Sequence, residues 1–92
     1  MALNIFNDEK EKKFFAEAGG SKCFIIYEME DANTINLEHT IVPKELGGKG
    51  YAAELAEYAL KYARENHLKV IPTCSYMIAY LKKHPEHNDL LK

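Results

Sequence analysis

The stretch "VPKELGGKGYAAELAEYAL" (residues 42–60) decides how this chain reads, because a glycine-rich turn runs there straight into a helical pattern. Ala52, Leu55, Ala56, Ala59 and Ala63 recur at helical spacing, while Glu54, Glu57, Lys61, Arg64 and Glu65 take the opposite face. Small alanines on the buried stripe let such a helix lie close to a sheet. Glycines let backbone N–H groups approach a ligand, and the helix N-terminus carries about half a positive charge. That is the chemistry of an anion site, with phosphates as its natural ligand.

On the N-terminal side the pattern is extended. "ALNIF" (2–6) predicts a short first strand and "NDEK" a polar turn. "KKFFAEA" (12–18) predicts a second strand, Gly19–Gly20 a hairpin, and "SKCFIIYEME" (21–30) a third strand rich in β-branched and aromatic residues. After the turn "DAN", "TINLEHTIV" (34–42) alternates, which places Ile35, Leu37, His39 and Ile41 on one face. On the C-terminal side, "KVIP" (69–72) reads as a fifth strand, and "CSYMIAYLKKH" (74–84) as a second helix that Pro85 ends. The order β-β-β-β-α-β-α makes the fourth and fifth strands a parallel pair joined by a right-handed crossover.

With 92 residues the chain has room for one modest core, so residues 1–92 read as a single domain. A net charge of −2 offers nothing to nucleic acid or to an anionic membrane. No apolar run approaches a membrane span, and "MALNIFNDEKEKK" lacks the apolar centre of a signal peptide. Cys23 and Cys74 are far apart, which fits free thiols in a cytoplasmic protein. His84-x-x-His87 has no further ligands in sight, so no metal site is expected. Tyr51, Tyr58 and Tyr62 read as helix packing.

Three glycine motifs compete for residues 47–52. A P-loop fails, because Lys49 is followed by Gly50 and no hydroxyl is available for magnesium. Gly48-Lys49-Gly50-Tyr51-Ala52-Ala53 matches the dinucleotide fingerprint G-x-G-x-x-[GA] literally. Yet "LKVIPT" holds no acidic residue where the ribose contact belongs, and the sheet before it is antiparallel in character. The third motif, [QR]-x-x-G-x-[GA], is the acetyl-coenzyme A loop of the GNAT superfamily of N-acetyltransferases. Gly50-Tyr51-Ala52 supplies its G-x-A after a strand ending in Val42, with Gly47 standing in the Gln/Arg position.

"HTIVPKELGGKGYAAEL" and "ALKYARENHLKVIPTCSYMIAYLKKHPEH", with the strand-rich first half, resemble a family of very small GNAT-like proteins without the N-terminal helices of the larger enzymes. The combination of H-T-x-V-P, G-x-G-x-A, I-P-x-C and K-K-H-P-E carries the resemblance over nearly the whole chain. It implies an α+β fold with a mixed, mainly antiparallel sheet, a β-α-β unit and a C-terminal helix. It also implies acetyl-CoA as co-substrate, its phosphates held by Gly47, Gly48, Lys49, Gly50, Tyr51 and Ala52. The pantetheine would run past Ile41 and Val42, in a gap between the fourth and fifth strands, and bring the thioester to Cys74.

Three residues have a catalytic and a plainer reading. Cys74 is a thiol at a helix N-terminus, where the helix field favours thiolate, or a small buried residue at a strand-to-helix junction. His39 is a general base or a partner of Cys74, or a core histidine. Tyr80 falls near the tyrosine with which larger GNAT enzymes protonate the leaving thiolate, or it packs the second helix with Met77 and Leu81. The function implied is N-acetyl transfer to a primary amine, for which small amines, peptide N-termini and protein lysines all qualify. The alternative is a non-catalytic acyl-CoA-binding module.

Overall fold

The computed structural model describes residues 3–92. Strands β1 (Phe6–Asp8), β2 (Lys13–Ala18), β3 (Ser21–Asp31), β4 (Thr34–Ile41) and β5 (Lys69–Pro72) lie across one sheet in chain order. The first three pairings are antiparallel and β4–β5 is parallel. Helix α1 (Tyr51–Glu65) makes the crossover, and α2 (Ser75–Lys83) follows β5. The architecture is the expected α+β arrangement.

Alternation builds the core. Phe14 and Ala16 of β2, Cys23, Ile25 and Tyr27 of β3, Ile35 and Leu37 of β4, and Val70 of β5 are all buried. Against them pack Leu55, Ala56, Ala59, Leu60 and Ala63 of α1, and Met77 and Leu81 of α2. Phe14 stacks on Tyr27 with centroids 4.6 Å apart and meets Tyr58 and Tyr62 of α1 edge-on at 5.6 and 5.2 Å. The tyrosine stripe of α1 therefore packs the helix on the sheet.

The first strand begins later than its sequence suggests. Asn7 and Asp8 are strand residues rather than turn, because Asn7 Oδ1 accepts the Tyr27 hydroxyl at 2.7 Å. Asp8 Oδ1 then accepts the Glu11 N–H at 3.0 Å and closes the real turn. Leu3 and Ile5 pack against the core, and Ala2 lies outside the described residues.

The decisive departure is in β4. Tyr27 pairs with Leu37 and Ile26 with His39, so Glu38 is an extra residue on the β4 side. Such a bulge reverses the alternation of everything after it. Thr40 now faces buried Ile25, on the helix side, while His39 and Ile41 are exposed on the other. The single face expected for Ile35, Leu37, His39 and Ile41 ends at Leu37.

The bulge coincides with a parting of strands. The β4–β5 register stops at Leu37 and Pro72, where Leu37 O accepts the N–H groups of Thr73 and Cys74 at 3.1 and 3.2 Å. Among the described residues, 38–41 continue without a strand on their outer side. Past α2, a 3-10 turn at Pro85–Leu90 buries Leu90, and Leu91 forms a parallel bridge to Val70 on the outer side of β5.

Candidate active site

The glycine loop is shaped by its own backbone. Pro43 starts a 3-10 turn at Lys44–Leu46 that buries Leu46, and Gly47 N–H donates to Lys44 O at 3.1 Å. A Cβ on Gly47 would stand 3.2 Å from that carbonyl, so the tight turn favours glycine where the motif has Gln or Arg. Ser21 Oγ, from the β2–β3 hairpin, donates to Glu45 at 2.6 Å and ties the turn to the sheet.

Gly48 and Gly50 have φ of 78° and 79°, values that L side chains rarely adopt. Nothing lies within 4 Å of where their Cβ atoms would be. Gly50 is the N-cap of α1 and offers no side-chain cap, so the first N–H groups of the helix are open to a ligand. The loop and helix start border a groove of about 350 Å³, together with Val42 just past β4 and Tyr76 of α2. Two glycines without Cβ atoms and a free helix N-terminus make a cradle that fits an anion such as a pyrophosphate.

Cys74 is the N-cap of α2 and half-buried. Its Sγ lies 3.4 Å from Thr40 Oγ1. Burial disfavours the thiolate, but the Thr40 hydroxyl and the facing N–H groups of Met77 and Tyr76 outweigh it, and the thiol's pKa lies below its ordinary value. Those two N–H groups face the sulfur without closing a cap hydrogen bond. Cys23 is the contrast: fully buried, with its pKa pushed up by burial, it bonds to Ala16 O and is structural.

His39 does not join Cys74. It projects from the exposed face, across from Ile26, and Thr40 occupies the place beside the thiol. Tyr80 is buried, and its hydroxyl is bonded to Glu57 of α1, with His84 stacked on the ring at 4.1 Å. Burial and the Glu57 carboxylate push its pKa well above the usual phenol range. His87 Nε2 reaches the same carboxylate oxygen at 3.2 Å. Among the described residues, no three His, Cys, Asp or Glu side chains gather as for a metal.

Thr40, Tyr76 and Glu57 are the residues that sequence reasoning missed. Tyr76 is half-buried, lines the groove, and has its pKa raised by burial and by the Cys74 thiolate. Its signal was present, one helical turn before Tyr80 and two residues after Cys74. Thr40 left none, because its place depends on the bulge.

A family model described as GCN5-related N-acetyl-transferase matches residues 13–90. Protein NATD1 of Danio rerio is 33% identical over 85 residues, which span 90% of this chain and 77% of that protein. Protein NATD1 of Xenopus tropicalis is 31% identical over 86 residues, spanning 91% and 79%. The solution NMR structure of a GCN5-like protein from Staphylococcus aureus superposes with a TM-score of 0.78 at 35% identity, covering 98% of this chain and 88% of that one. With that match running across sheet, loop and both helices, the chain belongs to the GCN5-related N-acetyltransferase family.

Proposed function

We propose that this domain transfers acetyl from acetyl-CoA to a primary amine. The observation that carries the reading is one continuous path: the stretch of β4 left open on its β5 side leads through Val42 into the groove of Gly48, Gly50 and α1. Gly47 to Ala52 hold the phosphates through backbone N–H groups, with the Lys49 ammonium beside them. Pantetheine lies along Ile41 and Val42, where β4 offers a free edge, and the thioester reaches Cys74.

Direct transfer needs the amine's lone pair on the thioester carbonyl, loss of the amine proton, and a proton for the departing thiolate. Tyr76 suits the last task, since a phenol with a raised pKa stays protonated at working pH. Tyr80 acts behind it, held by Glu57. His39, on the exposed face, accepts the amine proton. Cys74 stands beside the sulfur. Its depressed pKa also supports passage through an acetyl-Cys74 thioester, formed by thiolate attack with coenzyme A leaving and discharged by the amine. The free cysteines fit a reducing, cytoplasmic setting.

A second reading, an acyl-CoA-binding module without turnover, is favoured by Gly47 in the Gln/Arg position and by the anchoring of Tyr80 on Glu57. The test has two arms. Millimolar acetyl-CoA raises the melting temperature, because a ligand of the native state stabilises it, and Gly50→Val abolishes the shift. Thiol release from acetyl-CoA then depends on added amine. Binding with only buffer-level hydrolysis across a broad amine screen selects the binding module, and no thermal shift at all rejects both.

A further inference from the structure

The C-terminal turn presents two histidines, His84 and His87, that acetyl transfer as proposed leaves unused. The 3-10 turn Pro85–Leu90 is fixed at its far end, where Leu90 is buried and Asp89 accepts both Arg64 nitrogens of α1 at 2.6 and 3.2 Å. The turn thereby brings His87 against α1. Its side chain is 13% exposed, and Nε2 lies 3.2 Å from Glu57 Oε2. A carboxylate only accepts, so Nε2 carries the proton and donates it. Nδ1 is buried and has no partner among the described residues, which leaves the bond to Glu57 to orient the ring.

That bond matters to Glu57. Its side chain is half-exposed and has a second cation within reach. Lys61 stands four residues on along α1, borders the same surface cavity as Glu57 and His87, and makes no ion pair among the described residues. The His87 N–H keeps the carboxylate on the other side, because the Tyr80 hydroxyl donates to the same Oε2. Tyr80 is then held at two points, its hydroxyl by Glu57 and its ring by His84, stacked at 4.1 Å. One turn earlier on α2 the Tyr76 ring lies beside it, with centroids 6.0 Å apart, and Tyr76 lines the groove.

We propose that His87 is a positioning residue for acetyl transfer: by pinning Glu57 it fixes Tyr80, and Tyr80 fixes the Tyr76 phenol at the groove. This rests on the acetyl-transfer reading above. His87 touches neither coenzyme nor amine in that reading, so its effect falls on the chemical step and not on coenzyme binding. A phenol that must meet a departing thiolate works only within a narrow range of positions. A Tyr76 ring whose neighbour is free to turn spends less time in that range. The C-terminal turn is therefore part of the frame of the site, with His84 on the Tyr80 ring and His87 behind its hydroxyl.

The test compares His87→Phe, which keeps a ring and loses the donor, with His87→Gln, whose amide N–H replaces Nε2–H. Both are made in the full chain and checked for melting temperature, and His87→Leu takes the place of His87→Phe should the latter unfold. Thiol release is measured at saturating acetyl-CoA with the fastest amine of the screen above. The rings are followed by NMR of protein carrying isotope-labelled tyrosine. The donor-less variant is expected to lower kcat about tenfold, to change the KM for acetyl-CoA by less than about twofold, and to move the ring signals of Tyr80 and Tyr76. His87→Gln is expected to restore both kcat and signals. Full kcat without the donor, a loss carried by KM, or a loss with the Tyr76 signals unmoved overturns the proposal, as does a His87→Gln that recovers neither. A wild type that turns over no amine fails the transfer reading and takes the assignment with it. An active wild type beside an unaffected donor-less variant fails the positioning alone.

Discussion

At Cys74 two opposing effects act on one sulfur. Burial raises the cost of the thiolate, while the Thr40 hydroxyl and the opening N–H groups of α2 lower it, and the second influence wins. Thr40→Val keeps the shape and removes the donor. The alkylation rate of Cys74, followed against pH, is then expected to show its midpoint at higher pH and a severalfold lower rate at neutrality. His39→Ala is expected to leave that midpoint in place, because the imidazole lies on the other side of the sheet. A midpoint that moves with His39 and not with Thr40 refutes this account of the thiol. The sequence placed a cysteine at this helix start correctly but named the wrong neighbour. Strict alternation puts residue 39 beside the residue 37 face, and a single uncounted residue, Glu38, exchanges 39 for 40.

Elements were more legible than their irregularities. The period change at Gly50, the alanine stripe of α1 and the crossover to β5 follow from hydrophobic spacing and appear as read. The bulge in β4 and the two 3-10 turns do not, because each is set by contacts distant in sequence, such as Ser21 with Glu45 or Leu90 with the core. The end of α1 belongs to the same class. Leu68 N–H donates to Ala63 O at 2.8 Å and His67 N–H to Arg64 O at 3.3 Å, the paired bonds of a Schellman turn. Its left-handed position is filled by His67, at φ 57°, rather than glycine. A Cβ costs about 1–2 kcal/mol there, partly offset by the greater freedom of glycine in the unfolded chain. His67→Gly is expected to gain about 0.5–1 kcal/mol and to raise the melting temperature by a few degrees in calorimetry. A drop would mean that the histidine side chain contributes contacts worth more than the strain.

For the molecule as a whole, the core holds phenols as well as hydrocarbon. Tyr27 is pushed up to about 12, chiefly by burial, and burial with the Glu57 carboxylate holds Tyr80 higher still. A group whose pKa is raised by folding stabilises the fold fully below its unfolded value, near 10, and loses that contribution as pH climbs through the folded value. Stability is therefore expected to fall between about pH 10 and pH 12. Tyrosinate absorbance should show the more exposed of the six tyrosines ionising first and Tyr27 with Tyr80 only as far-UV dichroism collapses. All six ionising together with the dichroism intact would contradict the burial. The bridge from Leu91 to Val70 reaches further than its size suggests. With Lys92 N–H also on Val70 O at 3.1 Å, Leu91 and Lys92 blunt the outer edge of β5, which would otherwise offer its hydrogen bonds to a neighbouring molecule. At the opposite margin β1 is only three residues long. A sheet finished in this way keeps its two margins short or covered, so the open backbone of β4 at residues 38–41 is where a neighbouring molecule would find hydrogen bonds to recruit.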